Sequence, residues 1–139
     1  MRYLILGLIF LALPAAAQEW AVRDGDEALA QAALTERLVG QQIQFYDNGI
    51  SRFETDGRYS YTYDQGGTAY GQFEIAEDGL VCIDFVNGFS RCDRYVQNGE
   101  RFILLTTDGL RFPIRPSSFD RSAAVGQASA GRPRRCCSA

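Results

Sequence analysis

The chain has 139 residues, enough for one domain, and a formal net charge of −3. All 14 basic residues are arginine, and the sequence contains neither lysine nor histidine. The missing histidine excludes a Ser-His-Asp hydrolase and removes the commonest metal ligand, and the missing lysine excludes Schiff-base chemistry. Composition therefore favours a binding domain over most classes of enzyme, and we expect neither a metal nor a cofactor.

Residues 1–17 have the pattern of a secretory signal peptide. Arg2 precedes an 11-residue apolar run at residues 3–13, and Ala15-Ala16-Ala17 forms a typical cleavage site. A helix of that length spans about 16 Å, roughly half of the hydrocarbon core of a bilayer. We therefore expect cleavage after Ala17 and release into the periplasm or the medium, with no transmembrane segment in the mature protein.

Residues 18–40 are predicted to form a lead-in with one helix. Apolar residues recur there at helical spacing, namely Ala28, Leu29, Ala32, Ala33, Leu34 and Leu38. Asp24 or Asp26 could cap the helix at its start, and Gly40 could end it. Such a helix could cover an open end or a face of a sheet.

Residues 41–115 are predicted to be all-β. Turn sequences recur at Asp47-Asn48-Gly49, Asp56-Gly57, Gln65-Gly66-Gly67, Glu77-Asp78-Gly79, Asn87-Gly88, Asn98-Gly99 and Asp108-Gly109. They separate eight short segments rich in aromatic and β-branched residues, which is typical of an antiparallel meander. Because closure removes exposed sheet edges, we predict an eight-stranded small barrel or flattened barrel, and a sandwich is the alternative.

Tyrosine alternates with polar residues along the third predicted strand. A three-residue loop at Gln65-Gly66-Gly67 would place Tyr59 opposite Phe73 and Arg58 opposite Glu74, and it would keep one face largely apolar. The aromatic residues that would share this face are Tyr59, Tyr61, Tyr63 and Phe73. They are either core residues or the lining of a cavity for a small apolar ligand.

The last predicted hairpin can be placed in register by the same argument. A two-residue type I′ turn at Asp108-Gly109 would place Leu105 opposite Phe112 and Ile103 opposite Ile114. This register again gives one apolar face.

Cys82 and Cys92 are predicted to form a disulfide. If Val86-Asn87-Gly88 is a three-residue loop closed by Phe85 and Phe89, the two cysteines fall on a non-hydrogen-bonded pair of the hairpin. Their Cα atoms would then lie about 4.5 to 5.5 Å apart, within reach of a disulfide. We interpret this bridge as a structural cross-link, because its spacing is not that of a redox motif.

Residues 116–139 are predicted to be a disordered basic tail, because they contain small residues, Pro, Gly and Arg with one aromatic residue. Cys136 and Cys137 lie beside Arg134 and Arg135, which would favour the thiolate, so they are candidate reactive thiols. Two thiols without histidine make an incomplete zinc site. Since the tail has no interleaved aromatic residues and follows an acidic domain, we expect no nucleic-acid binding.

Carboxylate pairs occur beside two of the turns. Glu54 with Asp56, and Glu77 with Asp78, could support glycoside hydrolysis if a cleft held them at the right separation. Acidic residues beside Asp-Gly turns more often shape the turn and stay exposed. A carboxylate-dependent hydrolase is therefore the weakest of the functional hypotheses.

Three short motifs carry a resemblance to a family. They are Phe53-Glu54-Thr55-Asp56-Gly57-Arg58-Tyr59, then Gly71-Gln72-Phe73-Glu74-Ile75, then Asp78-Gly79-Leu80-Val81-Cys82 followed by Cys92. Residues 34–115 thereby resemble small exported alphaproteobacterial proteins of uncharacterised function. Phe73 stands where tryptophan is common in that pattern. The resemblance implies a small exported β-domain and implies no activity.

These patterns together predict a non-enzymatic binding or interaction module of the cell envelope. Its partner would be a small apolar ligand or an envelope protein, and we expect the chain to be a monomer. Inhibition of a periplasmic enzyme through an exposed acidic loop is the alternative function. An apolar cavity containing ordered polar groups would favour the first hypothesis.

Overall fold

The computed structural model of the protein describes residues 20–118. It contains one helix, α1 (Gln31–Leu38), and nine strands. The strands are β1 (Glu27–Ala28), β2 (Gln41–Gln44), β3 (Ile50–Phe53), β4 (Arg58–Thr62), β5 (Thr68–Ile75), β6 (Leu80–Phe85), β7 (Ser90–Asn98), β8 (Arg101–Leu105) and β9 (Arg111–Pro113). The predicted signal peptide and the thiols of Cys136 and Cys137 lie outside the described residues.

Strands β2 to β9 pair in chain order as one antiparallel meander, and β1 pairs with β7. The sheet curls into a half-barrel, so the predicted all-β meander with one helix is confirmed. Just beyond the ends of β2 and β9, Phe45 and Ile114 form an isolated antiparallel bridge. Beside that bridge the amide of Arg115 donates to the carbonyl of Gln44 at 2.8 Å. One row of side chains therefore faces the concave interior, and the alternate row faces outward.

Six of the seven turns of the meander use the same three-residue loop. In each turn the third loop residue has positive φ, and these residues are Asn48, Gly57, Gly66, Gly79, Gly88 and Gly109. This left-handed conformation is readily adopted by Gly and by Asn, and it is the usual end of a three-residue hairpin loop. The shared geometry explains why the predicted turn sequences recur so regularly.

The predicted register of the last hairpin is wrong by one residue. Leu105 lies opposite Arg111, and Phe112 lies opposite Leu104. The loop has three residues, because the amide of Thr106 donates to the carbonyl of Leu110. Both faces of β8 are buried, so an argument that assumed a single apolar face could not choose the register.

The predicted register of the β4–β5 hairpin is wrong by two residues. Tyr59 lies opposite Gly71, and Arg58 lies opposite Gln72. The three-residue loop begins at residue 64, one position earlier than predicted, because Gly66 takes the left-handed position. A shift of two residues leaves each side chain on its predicted face. Arg58 pairs with Asp56 at 2.6 Å and not with Glu74.

The helix forms within its predicted segment, but it begins at Gln31, after Ala28 and Leu29 of the predicted stripe, and its predicted cap is wrong. Its N-cap is Ala30, which makes no side-chain capping hydrogen bond. Asp26 instead binds Arg111, and the next two residues are extended as β1. Leu34 and Leu38 are fully buried in the concave core. Gly40 follows the helix with a φ of 76°, so the predicted end is correct.

Two apolar clusters lie on opposite faces of the sheet. The concave cluster contains the helix residues and the inward row of the strands, with Ile43, Phe53, Val81, Ile83 and Tyr95 among its buried members. The outer cluster contains Val96, Ile103 and Leu105, and Trp20 packs over it. The N-terminal segment therefore covers the outer face, while the concave face holds the main core.

The predicted start of the disordered tail at residue 116 is wrong, because the side-chain oxygen of Ser118 accepts the amide hydrogen of Gln44 at 2.8 Å. Ser118 is buried, whereas its neighbour Ser117 is exposed. We expect Ser118→Ala to lower the free energy of unfolding by about 1 kcal/mol, because a backbone amide loses its acceptor. Urea unfolding measures this loss, and Ser117→Ala is the matched control. Equal values for the two variants would contradict the prediction.

Candidate ligand-binding site

The four predicted lining residues separate into two pairs. Tyr59 is a core residue, and its hydroxyl shares a 2.8 Å hydrogen bond with Ser51. Phe73 packs edge-on against Phe53, with ring centroids 5.0 Å apart. Tyr61 and Tyr63 line a cavity in the concave face. The core interpretation of the aromatic stripe therefore applies to Tyr59 and Phe73, and the cavity interpretation applies to Tyr61 and Tyr63.

The cavity has a volume of about 310 Å³. It lies where β4 ends and β7 begins, and strands β6, β8 and β9 also contribute to its wall. Its lining residues are Phe45, Asp47, Tyr61, Tyr63, Phe85, Arg91, Leu104 and Phe112. Five of these side chains are aromatic, so the wall is largely apolar with two charged groups set in it.

The aromatic side chains of the cavity are held by one another. The ring of Phe45 lies 6.2 Å from that of Tyr61 and 6.4 Å from that of Phe112, centroid to centroid. Tyr61 and Tyr63 meet edge to face at 4.9 Å. Phe85 stacks on Phe89, a large exposed apolar residue on the β6–β7 hairpin. These contacts order the wall without filling the cavity.

Arg91 and Asp93 bring charge to the concave face of β7. Arg91 Nε lies 2.9 Å from Asp93 Oδ2, and the two side chains are 32% and 3% exposed respectively. The Nε atom is buried and donates no hydrogen bond within residues 20–118. The pair is therefore an ion pair in which the guanidinium retains unused donors.

Burial raises the pKa of Asp93 to about 6, an effect that Arg91 reduces and Asp108 increases. Tyr59 and Tyr95 also face this region. Burial raises the pKa of Tyr59 to about 12 and that of Tyr95 well above its ordinary value. Both phenols are therefore neutral at physiological pH, and Asp93 is the group of this cluster that titrates closest to it.

Sequence reasoning did not identify Arg91 or Asp93 as site residues. The sequence did contain a signal that these residues face the interior. The predicted pairing of Cys82 with Cys92 also places the apolar Ile83 opposite Arg91. The structure confirms both pairs, and the sulfur atoms are bonded at 2.03 Å. Since the cysteines face outward, Arg91 and Asp93 must face the interior with Ile83. The disulfide thus fixes the strand on which the charged pair lies.

A second solvent-excluded carboxylate, Asp26, lies on the outer side of the sheet. Both of its oxygens accept hydrogen bonds from Arg111, at 2.5 and 3.0 Å, and Asn98 donates to it at 2.8 Å. These hydrogen bonds hold the pKa of Asp26 well below its usual range. Asp26 and Asp93 therefore do not converge on one cleft. The exposed turn carboxylates Asp56 and Asp78 each accept the backbone amide hydrogen two residues later.

Two other depressions have fewer aromatic residues in their walls. One of about 750 Å³ is lined by exposed residues such as Tyr46, Glu100 and Arg101. Another of about 440 Å³ includes Arg58 and Asp84 in its wall. The concave cavity is smaller, but it alone of these three has a mainly aromatic wall within the described chain.

In the described segment, no three or more His, Cys, Asp or Glu side chains are grouped so that they could hold a metal ion. None of its helices is long and apolar enough to span a membrane. Comparisons with known proteins find no matching family model, no matching curated protein and no matching solved structure.

Proposed function

We propose that this domain is a non-enzymatic binding module that takes a small, largely apolar molecule into its concave cavity. The observation that carries the proposal is a cavity of about 310 Å³ with five aromatic side chains in its wall. Cavities of about 300 Å³ lie at the small end of the range used for small-molecule ligands. Each 100 Å² of apolar surface buried there would contribute about 2.5 kcal/mol.

The domain would act outside the cytoplasm. The disulfide supports this part of the proposal, because such bonds persist mainly in oxidising compartments. The N-terminal sequence pattern also supports it. An exported binding module needs no catalytic histidine, which agrees with the composition of the chain.

Inhibition of an envelope enzyme through an acidic loop has less support. Asp56 and Asp78 belong to tight three-residue turns and use one carboxylate oxygen to hold the turn itself. Such turns present little surface to a partner. The concave cavity offers a more enclosed site than either acidic turn.

Binding of the neutral fluorescent probe N-phenyl-1-naphthylamine tests the proposed function. We expect Tyr63→Ala to weaken probe binding about threefold to tenfold, because Tyr63 lines the cavity and its ring packs on Tyr61. Tyr70→Ala is the matched control, since Tyr63 and Tyr70 are similarly exposed, at 54% and 60%. Probe fluorescence measured during titration gives both affinities.

The control should bind the probe as the unmodified protein does, because Tyr70 is not part of the cavity wall. If the unmodified domain binds no probe, or if both variants lose affinity equally, the concave cavity is not a ligand site. Amide chemical-shift changes confined to the concave face would locate the probe independently.

A further inference from the structure

We propose that Arg91 makes the cavity selective for amphipathic molecules that carry a carboxylate on an aromatic or aliphatic body. This inference rests on the proposed function and names the chemical class of its ligand. Arg91 is the only basic residue in the cavity wall as the structure describes it. The apolar body would contact the aromatic residues, and the carboxylate would bind the guanidinium.

The first argument is the unused hydrogen-bonding capacity of Arg91. A guanidinium carries five N–H donors, and buried donors are normally paired. Within the described residues no group accepts a hydrogen bond of good geometry from Arg91, and the only acceptor near its buried Nε atom is Asp93 Oδ2 of the ion pair, at 2.9 Å. A carboxylate is the acceptor that matches this fork of donors, because its two oxygens can bind two N–H groups at once.

The second argument is the surroundings of the guanidinium. Arg91 shares the cavity wall with Tyr61, Phe85 and Phe112 and is only about one-third exposed. An ion pair is stronger in such surroundings than at an open surface. A ligand whose apolar body displaces water from these rings would further strengthen the pair. The site therefore favours ligands in which one negative group is attached to an apolar body.

The charges around Arg91 impose a condition on binding. Asp93 neutralises Arg91 in the free protein, the charge of Asp108 in the β8–β9 turn helps to raise the pKa of Asp93, and Asp47 lines the cavity. Tyr59 on β4 and Tyr95 on β7 are the other titratable groups near Asp93. A bound carboxylate would compete with Asp93 for Arg91. Proton uptake by Asp93, whose pKa is raised to about 6, would relieve that competition.

Three probes of nearly equal shape test the selectivity for a carboxylate. They are 3-phenylpropionate, 3-phenylpropionamide and 3-phenylpropylamine, which carry a negative, a neutral and a positive group. At about pH 5.5, where proton uptake by Asp93 relieves the competition for Arg91, we expect the carboxylate to bind about tenfold more tightly than the amide, and the amine to bind most weakly. The carboxylate should also bind more tightly at about pH 5.5 than at about pH 7.5, whereas the amide should show no such change. Calorimetric titration measures all three affinities.

Variants of the charged pair give the sharper test. Arg91→Gln should abolish the preference for the carboxylate, and Asp93→Asn should increase it, because the competing charge is lost. The double variant Arg91→Gln/Asp93→Asn leaves no unpaired charge of this pair, and it should bind the carboxylate no more tightly than the amide. Arg58→Gln is the matched control, since Arg58 is exposed and paired with Asp56.

The outcomes separate this inference from the proposed function. Binding of all three probes with equal affinity, or tightest binding of the amine, would overturn the role of Arg91 and leave the cavity a ligand site. A carboxylate preference that survives Arg91→Gln would also overturn it. Failure of every probe, including the neutral naphthylamine, would refute the proposed function itself.

Discussion

Replacing Cys82 and Cys92 together by serine is expected to lower the free energy of unfolding by about 2 to 3 kcal/mol. The disulfide joins residues separated by 10 positions and closes a hairpin, so its loss frees the unfolded chain to explore more conformations. For a domain of this size the melting temperature should fall by roughly 10 to 20 °C. Urea unfolding and differential scanning calorimetry measure the two quantities.

The reduced form of the unmodified protein provides the control. In the presence of a reductant, the unmodified protein and the double-serine variant should have nearly equal stability, because both then lack the cross-link. If the variant remains much less stable than the reduced protein, the loss comes from replacing the side chains. A variant as stable as the oxidised protein would show that the cross-link contributes nothing.

The disulfide also bears on the site. Phe85 and Arg91 lie on the two strands that it joins, β6 and β7, and both line the cavity. Their separation across the hairpin therefore depends on a register that the cross-link fixes. In the double-serine variant we expect affinity for the probes to fall even at temperatures at which the variant is folded.

Local sequence signals predicted the β6–β7 hairpin correctly because two independent constraints agreed. The end of the three-residue loop required a residue in the left-handed conformation, which Gly88 supplies, and the cysteines had to occupy a non-hydrogen-bonded pair. The last hairpin had one constraint, the polarity of its faces. That constraint failed because Leu104 belongs to the concave core while Leu105 belongs to the outer cluster.

Tertiary contacts decided the features that the sequence did not reveal. Asp26 looked like a helix cap, but its partner is Arg111, 85 residues away. Arg91 and Asp93 were not predicted as site residues, and charged side chains are in general seldom buried. The curling of the sheet into a half-barrel makes their face the interior. The tyrosine stripe was predictable as one face, whereas its division between core and cavity depends on the curvature of the sheet.

Asp93→Asn is expected to change the dependence of stability on pH. The pKa of Asp93 is raised from its ordinary value of 3.8 to about 6, mainly by burial. The folded state therefore holds the proton more tightly than the unfolded state, and stability from this group is present below pH 4 and lost as the pH rises through about 6. A shift of this size corresponds to about 3 kcal/mol. Asp93→Asn has no titratable group at this position, so its stability should not fall for this reason as the pH rises.

Asp26 has the opposite effect, because hydrogen bonds from Arg111 hold the pKa of its carboxyl well below the usual range. The stability from Asp26 is present above its unfolded pKa and is lost as the pH falls. The two aspartates therefore oppose each other in the unmodified protein. The contribution of Asp26 is common to both proteins. It therefore cancels when the unfolding free energy of the unmodified protein is subtracted from that of Asp93→Asn.

Urea unfolding of both proteins at a series of pH values from about 4 to about 8 provides this difference. We expect this difference to favour Asp93→Asn increasingly as the pH rises, by up to about 3 kcal/mol, with most of the change between the ordinary pKa of 3.8 and the folded pKa of about 6. Asp84→Asn, an exposed aspartate on the neighbouring strand, is the matched control. A difference that is constant with pH, or that the control reproduces, would contradict the burial of an ionised Asp93 beside Arg91. A change in the opposite direction would mean that Arg91 stabilises the Asp93 carboxylate more than burial penalises it, and a ligand carboxylate would then compete poorly with Asp93 for Arg91.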